Sequence, residues 1–206
     1  MARVPVKVKI CGICSVADAR AAAAAGADLL GLNFVPGTPR ALDLDTARAI
    51  ADAVPGATLV GVFVDAPRAT VEETAAAVGL AAVQFHGEED PDYCRGWPWR
   101  TIKALRVRPG TDVGAAAARY DTDYLMLDGW RPDVPGGAGV AFDPALAAGV
   151  PAARLFVAGG LTPETVAEVV RRLRPYAVDV ASGVEHRPGR KDHAKVEEFI
   201  RRAKAA

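Results

Sequence analysis

The sequence carries no excess charge of either sign: its 206 residues hold 25 Lys and Arg against 25 Asp and Glu. A nucleic-acid or anionic membrane surface needs a basic excess, so neither partner is expected. Cysteine is scarce, with Cys11, Cys14 and Cys94 the three present. Three thiols cannot complete a disulfide set, and the chain is not small and cysteine-dense, so a reducing cytosol is the expected compartment. No uninterrupted apolar run reaches ~18 residues, which argues against a transmembrane helix. The opening Met1-Ala2-Arg3-Val4-Pro5 lacks the apolar stretch of a secretory signal. There is no linker and no low-complexity segment, so a single domain over 1–206 is expected. No Gly-x-Gly-x-x-Gly follows the first apolar run, which argues against a doubly wound open sheet.

What is present is a repeat of strand followed by helix. Half of the residues are hydrophobic, enough for a substantial core. Val6, Val8 and Ile10 alternate with Lys7 and Lys9, the period of a strand with one apolar face, and Gly12 then releases the backbone to turn. Further short apolar runs follow at Leu29 to Phe34, Thr58 to Val64, Ala82 to Phe85, Arg100 to Leu105, Tyr124 to Leu127, Leu155 to Ala158 and Ala177 to Val180. Between them lie helical stretches. Ala47, Ile50, Ala51 and Val54 fall at i, i+3, i+4 and i+7, as do Val166, Val169, Val170 and Leu173. Asp90-Pro91, Asp143-Pro144 and Thr162-Pro163 read as helix starts, and a last helix is expected from about Asp192. Eight strands, each followed by a crossover, predict an α/β fold: a parallel (β/α)8 TIM barrel at the small end of its size range. The near-continuous apolar strands suit a sheet covered on both faces. A doubly wound open sheet is the competing fold.

In such a barrel the loops after the strands share one face, and active sites form there. The strand ends carry Cys11, the Arg40 loop, His86, Asp128, Gly159-Gly160 and Ser182-Gly183. Adjacent Gly-Gly and Ser-Gly loops after the last two strands predict a phosphate seat, with Gly136-Gly137-Ala138-Gly139 a candidate to close over it. Read alone, each glycine pair only makes a tight turn. Asp128 ends a buried strand, where a carboxylate loses solvation unless paired and moves toward the behaviour of a general acid. The plainer role is a loop cap. Arg40 is placed either to clamp a carboxylate bidentately or to lie solvated in its loop. His86 either positions substrate, acts as a base, or is a hydrogen-bonded loop residue.

Cys11-Gly12-Ile13-Cys14 has the form C-x-x-C, which serves redox exchange, metal binding or a lone acid or base. An eightfold repeat is far too long for a thioredoxin-like fold. A zinc site needs partner ligands; there is no second C-x-x-C, and His186 and His193 do not have H-x-x-x-H spacing. No metal is expected. Two buried cysteines serving as small hydrophobes remain the bland alternative.

Taken together, Lys9-Ile10-Cys11-Gly12, Gly31 to Phe34 with Arg40, Gln84-Phe85-His86-Gly87, Asp128, Gly159-Gly160-Leu161 and Val178 to Glu185 followed by Pro188-Gly189 and Lys191-Asp192 resemble the phosphoribosylanthranilate isomerase family. The resemblance spans nearly the whole chain in order. It implies an Amadori rearrangement of a small-molecule phosphosugar in tryptophan biosynthesis, without cofactor. It assigns Cys11 as general base, Asp128 as general acid, Arg40 to the anthranilate carboxylate, Gly159, Gly160, Ser182 and Gly183 to the phosphate, and His86 to the pocket wall. A strand-end position facing phosphate-binding dipoles and Arg40 is expected to lower the Cys11 pKa from the usual value of about 8.5. The sequence departs from the family at Ala138, where threonine is usual, at Pro144 for tryptophan, at Thr38 for serine and at Phe85 for leucine.

Two rivals stand beside this reading. The related isomerase of histidine biosynthesis, or a dual-substrate form, works with two phosphates and typically an aspartate at the Cys11 position. A non-catalytic phosphosugar-binding barrel would carry Cys11 as an inert thiol. Oligomeric state is not legible in the sequence.

Overall fold

The computed structural model describes residues 5–108, 110–129, 147 and 149–206. Eight parallel strands close into a barrel in sequence order: β1 (Lys7–Cys11), β2 (Leu29–Asn33), β3 (Thr58–Phe63), β4 (Ala82–Phe85), β5 (Arg100–Val107), β6 (Tyr124–Gly129), β7 (Leu155–Ala158) and β8 (Ala177–Val180). A two-stranded hairpin, β9 (Glu185–Arg187) and β10 (Arg190–Lys191), follows β8. The α-helices among the described residues are α1 (Val16–Ala24), α2 (Leu44–Ala53), α3 (Arg68–Val78), α4 (Val113–Ala118), α5 (Val166–Leu173) and α6 (His193–Lys204). The (β/α)8 barrel expected from the repeat is the fold observed.

Local chemistry sets the boundaries. Ser15, Asp43, Asp112 and Asp192 each accept a backbone N–H of the first helical turn through a side-chain oxygen. Gly79, in the left-handed region, stops α3. The stripes Ala47/Ile50 and Val196/Phe199/Ile200/Ala203 are buried against the barrel wall. Two helix starts differ from expectation. Thr162 and Pro163 precede α5 by a turn, because Thr165 hydrogen-bonds the Thr162 N–H through its hydroxyl. Asp90 does accept the Tyr93 N–H at 2.7 Å, but residues 91–94 form only a turn. Gly96 takes a positive φ two residues on, and Tyr93 and Trp97 pack on Phe85 instead of continuing a helix. The Asp143-Pro144 start and the Gly136 to Gly139 loop lie outside the described residues.

The strands are covered on both faces. Outward residues such as Val8, Ile10, Leu30, Phe63 and Val157 meet the helices in one core. Leu29, Val60, Ala82, Ile102, Met126, Phe156 and Ala177 fill the barrel interior, and the rings of Tyr124, Phe156 and Tyr176 stack near the strand starts. The strand starts are therefore a packed core, and the C-terminal end of the barrel is where strand-end residues line a cavity. In β1 the apolar residues Val8 and Ile10 belong to the helix-facing core, while the alternate position, Lys9, is wholly buried against Asp179 of β8. The lysine face of the first strand is thus the inner face.

A second buried charge pair braces the mouth. Lys103 Nζ lies 2.6 Å from Glu89 Oε2, and each side chain is only 2% exposed. Glu89 also accepts from the N–H groups of Asp65 and Gly87, so one carboxylate ties the segments after β3 and β4 to β5. Lys103→Met would leave that carboxylate buried without its cation. Urea denaturation is expected to show a loss of ~3–5 kcal/mol, with Lys103→Met/Glu89→Gln recovering part of it. A loss no larger than that of a surface substitution would mean that the pair does not brace the loops.

Candidate active site

Every residue singled out at the strand ends reaches one place. Cys11, Arg40, His86, Asp128, Gly159, Gly160, Ser182 and Gly183 all line a cavity of about 350 Å³ at the C-terminal end of the barrel. Asn33, Gln84 and Asp179 join them. Gly12, at φ +70°, makes the turn after β1. The glycines on the β7 and β8 loops are demanded by space. A Cβ at Gly159 would crowd the Gly129 backbone and lie 2.7 Å from Asp128 Oδ1, and one at Gly183 would run into the Leu161 carbonyl. The two loops therefore approach each other backbone to backbone, as a seat for a compact anion requires.

Asp128 is paired and remains open to the cavity. Its Oδ2 lies 3.0 Å from His86 Nε2, and its side chain is 30% exposed. Gln84 Nε2 lies 2.9 Å from His86 Nδ1. With the Gln84 amide donating to Nδ1, Nε2 is the ring nitrogen that presents its N–H to Asp128. Gln84 Oε1 is buried with no partner among the described residues. His86 is thus a link between a buried amide and the carboxylate, a role that its position before a glycine did not disclose.

Arg40 is already engaged. Its Nε and Nη2 donate to Glu185 Oε1 and Oε2 at 2.7 and 2.5 Å, a bidentate pair. Lys191 Nζ reaches the same carboxylate at 3.0 Å and the Ala181 carbonyl at 3.1 Å. Burial alone would raise the Glu185 pKa, but Arg40 and Lys191 outweigh it and hold the carboxyl below the usual range. The guanidinium is fixed at the cavity wall by the β9–β10 hairpin. It is neither a solvated loop arginine nor a clamp with both of these donors free.

The thiols are distinguished by their surroundings. Cys11, Cys14 and Cys94 are free. Cys14 turns its Sγ to the carbonyls of Gly12 and Arg40, a structural contact beneath the Arg40 loop. Cys11 lines the cavity. Its pKa is not lowered, contrary to the expectation from the sequence. Burial pushes it up, and that outweighs the opposing charge of Lys9. Arg40 is not among the principal charges acting on it; Lys9, Asp179 and Lys191 are. Lys9 and Asp179 are the residues that sequence reasoning left without a role. The available signal was the spacing of Lys9 two positions before Cys11, which puts both side chains on one face of a strand.

A barrel with its functional groups gathered at the C-terminal mouth is the architecture of a (β/α)8-barrel enzyme. Residues 8–202 match the family described as N-(5'phosphoribosyl)anthranilate (PRA) isomerase. The chain is 50% identical over 206 residues to N-(5'-phosphoribosyl)anthranilate isomerase of Myxococcus xanthus, covering 97% of each chain. It is 48% identical over 205 residues to the Pseudomonas putida protein of the same name, covering 98% of each. Among solved structures, phosphoribosyl anthranilate isomerase from Thermotoga maritima superposes with a TM-score of 0.89 at 38% identity, over 98% of this chain and 100% of that one. A phosphoribosyl anthranilate isomerase solved with reduced 1-(o-carboxyphenylamino)-1-deoxyribulose 5-phosphate gives a TM-score of 0.86 at 36% identity, covering 98% of this chain and 100% of that one. The chain belongs to the N-(5'-phosphoribosyl)anthranilate isomerase family, and is an isomerase of the intramolecular oxidoreductase class.

The lowered Glu185 pKa makes stability depend on pH. A carboxyl depressed in the fold stabilises fully above its unfolded pKa, and that contribution is lost as pH falls through the folded value. Glu185→Gln is therefore expected to be less stable than the parent at neutral pH. The gap in urea midpoint should close on acidification below about pH 4.3, the ordinary glutamate value. A gap independent of pH would show that the two cations are not its source.

Proposed function

We propose that the chain converts N-(5-phosphoribosyl)anthranilate to 1-(2-carboxyphenylamino)-1-deoxyribulose 5-phosphate, the Amadori step of tryptophan biosynthesis, with Asp128 as general acid and Cys11 as general base. The observation that carries the roles is that one cavity holds a thiol, a carboxylate backed by an imidazole, an arginine and two closely apposed glycine loops. Family membership supports the substrate.

In this mechanism Asp128 gives a proton to the furanose ring oxygen. The C1′–O bond breaks as the anilino nitrogen shares its electron pair, leaving a protonated Schiff base. Cys11, as thiolate, takes the C2′ proton, and the C2′–H electrons move into the C1′–C2′ bond to give the enolamine. Tautomerisation, with a proton delivered to C1′, yields the ketose. The substrate nitrogen is the electron sink, so the chemistry requires no cofactor. Asp128 Oδ2 is held by His86, which leaves Oδ1 to carry the transferred proton. The Gly159, Gly160, Ser182 and Gly183 loops seat the phosphate. Arg40 faces the anthranilate carboxylate with the three N–H donors that Glu185 leaves over, on the Nη1/Nη2 edge rather than the Nε/Nη2 edge already paired.

Purified protein is expected to consume phosphoribosylanthranilate generated in situ, with loss of its fluorescence. Cys11→Ser and Asp128→Asn should each lower kcat by ~10²-fold or more, the scale of general acid–base catalysis. Cys14→Ser should leave turnover near the parent's, since its contacts are structural. Rescue of a tryptophan auxotroph but not of a histidine auxotroph would separate this activity from the histidine-pathway rival. Absence of turnover by folded protein would favour the non-catalytic barrel, and damage confined to Cys14→Ser would mean that the base is misassigned.

A further inference from the structure

Lys9 is a full cation with no exposed surface, set in the wall of the barrel. Such a charge is expensive to bury and is retained only where it is paired. Its pairing is known in register. Closure of the barrel places Lys9 opposite Asp179 on neighbouring strands β1 and β8, and Nζ lies 2.7 Å from Asp179 Oδ1. Cys11 lies two residues further along β1 on the same inward face, and this ammonium is a principal opposing charge on its thiol. Gly31, the β2 partner of Cys11, leaves the room for this arrangement. A Cβ there would lie 2.8 Å from Cys11 Sγ and 3.1 Å from Lys9 Nζ.

We propose that Lys9, held by Asp179, is the counter-ion of the Cys11 thiolate and so a positioning residue for the base. This rests on reading Cys11 as the base. The thiol releases its proton to the cavity, and Lys9 keeps all three of its own while the sulfur becomes an anion beside it. The anchor matters as much as the cation. Asp179 Oδ1 accepts from Nζ at 2.7 Å and so holds the amine in the barrel wall, an acceptor role that an asparagine oxygen would retain without the negative charge. The other charges near the thiol are Lys191 on β10 and Arg40 on the loop after β2. Both are committed to Glu185. Asp128 and His86 line the same cavity but are paired with each other. Of the cations Lys9, Lys191 and Arg40, Lys9 is the one not paired with Glu185, and it stands on the same strand face as the thiol. Without it the partly buried thiol would resist ionisation, since desolvation already pushes its pKa up.

The test is the rate of Cys11 alkylation by iodoacetamide against pH, read at the Cys11 peptide by mass spectrometry so that Cys14 and Cys94 do not contribute. Lys9→Met is expected to move the midpoint upward and to slow Cys11 alkylation at neutral pH by about tenfold or more, because only the thiolate reacts. Asp179→Asn removes the nearby negative charge and is expected to move the midpoint the other way. The rising limb of kcat/KM against pH should follow both. Lys9→Met leaves Asp179 buried without its cation; should it not fold, Lys9→Met/Asp179→Asn, which buries no charge, is expected to raise the midpoint by less than the single change. A structural role alone would change melting temperature but not shift midpoints in opposite directions. Unchanged midpoints in folded variants, or shifts of the same sign for the two single variants, would overturn the proposal while leaving Cys11 as the base. Full turnover by Cys11→Ser would overturn both.

Discussion

The structure depends on the closure of the sheet between its first and last strands. That seam sets Lys9 of β1 against Asp179 of β8 in direct register. A buried ion pair is a weak source of stability, because desolvation of both groups offsets most of the attraction. Its place in the fold is better explained by what it faces. Cys11 comes next on the same inward face, and Asp179 lines the cavity beside it. A barrel whose interior is otherwise filled by Leu29, Val60, Met126 and Phe156 thus changes from apolar to charged within one residue pair of its mouth. The packed end provides rigidity, and the charged end provides the field.

Two further buried carboxylates hold the loops around the cavity. Glu89 collects N–H groups from the segments after β3 and β4 and the ammonium of Lys103, and so fixes the loop that begins at His86. Glu185 collects Arg40 and Lys191, joining the loop after β2 to the hairpin after β8. Both act as acceptors where two or more cations or amides converge. Loops bearing catalytic groups need such braces, because displacement of a group by about 1 Å can cost on the order of 10²-fold in rate. Arg40 is held in one orientation at the cavity wall by this means.

Much of the architecture was legible in the chain. Strands and helices are short and strongly patterned, and the eightfold alternation allows few topologies. The local reading of helix starts missed once through a competing local contact, Thr165 on the Thr162 N–H, and once because a tertiary contact prevailed. The turn at 91–94 is the second case: Asp90 caps as expected, but the stacking of Tyr93 and Trp97 on Phe85 replaces a helix. The candidate residues converge in one cavity because they were chosen at strand ends, and a parallel barrel gathers its strand ends on one face. Their partners were not legible. Asp128 finds His86 across 42 residues, Arg40 finds Glu185 across 145 and Lys9 finds Asp179 across 170.

The sequence by itself determined the barrel, the end of it that holds the site and the side chains at that end, because periodicity and turn chemistry are local properties. Only the tertiary structure decided which charges neighbour which. That is why the expected influence of Arg40 on the thiol gave way to that of Lys9. Coulombic and desolvation effects fall on groups that are close in space, and closure of the sheet brings together residues from its two ends.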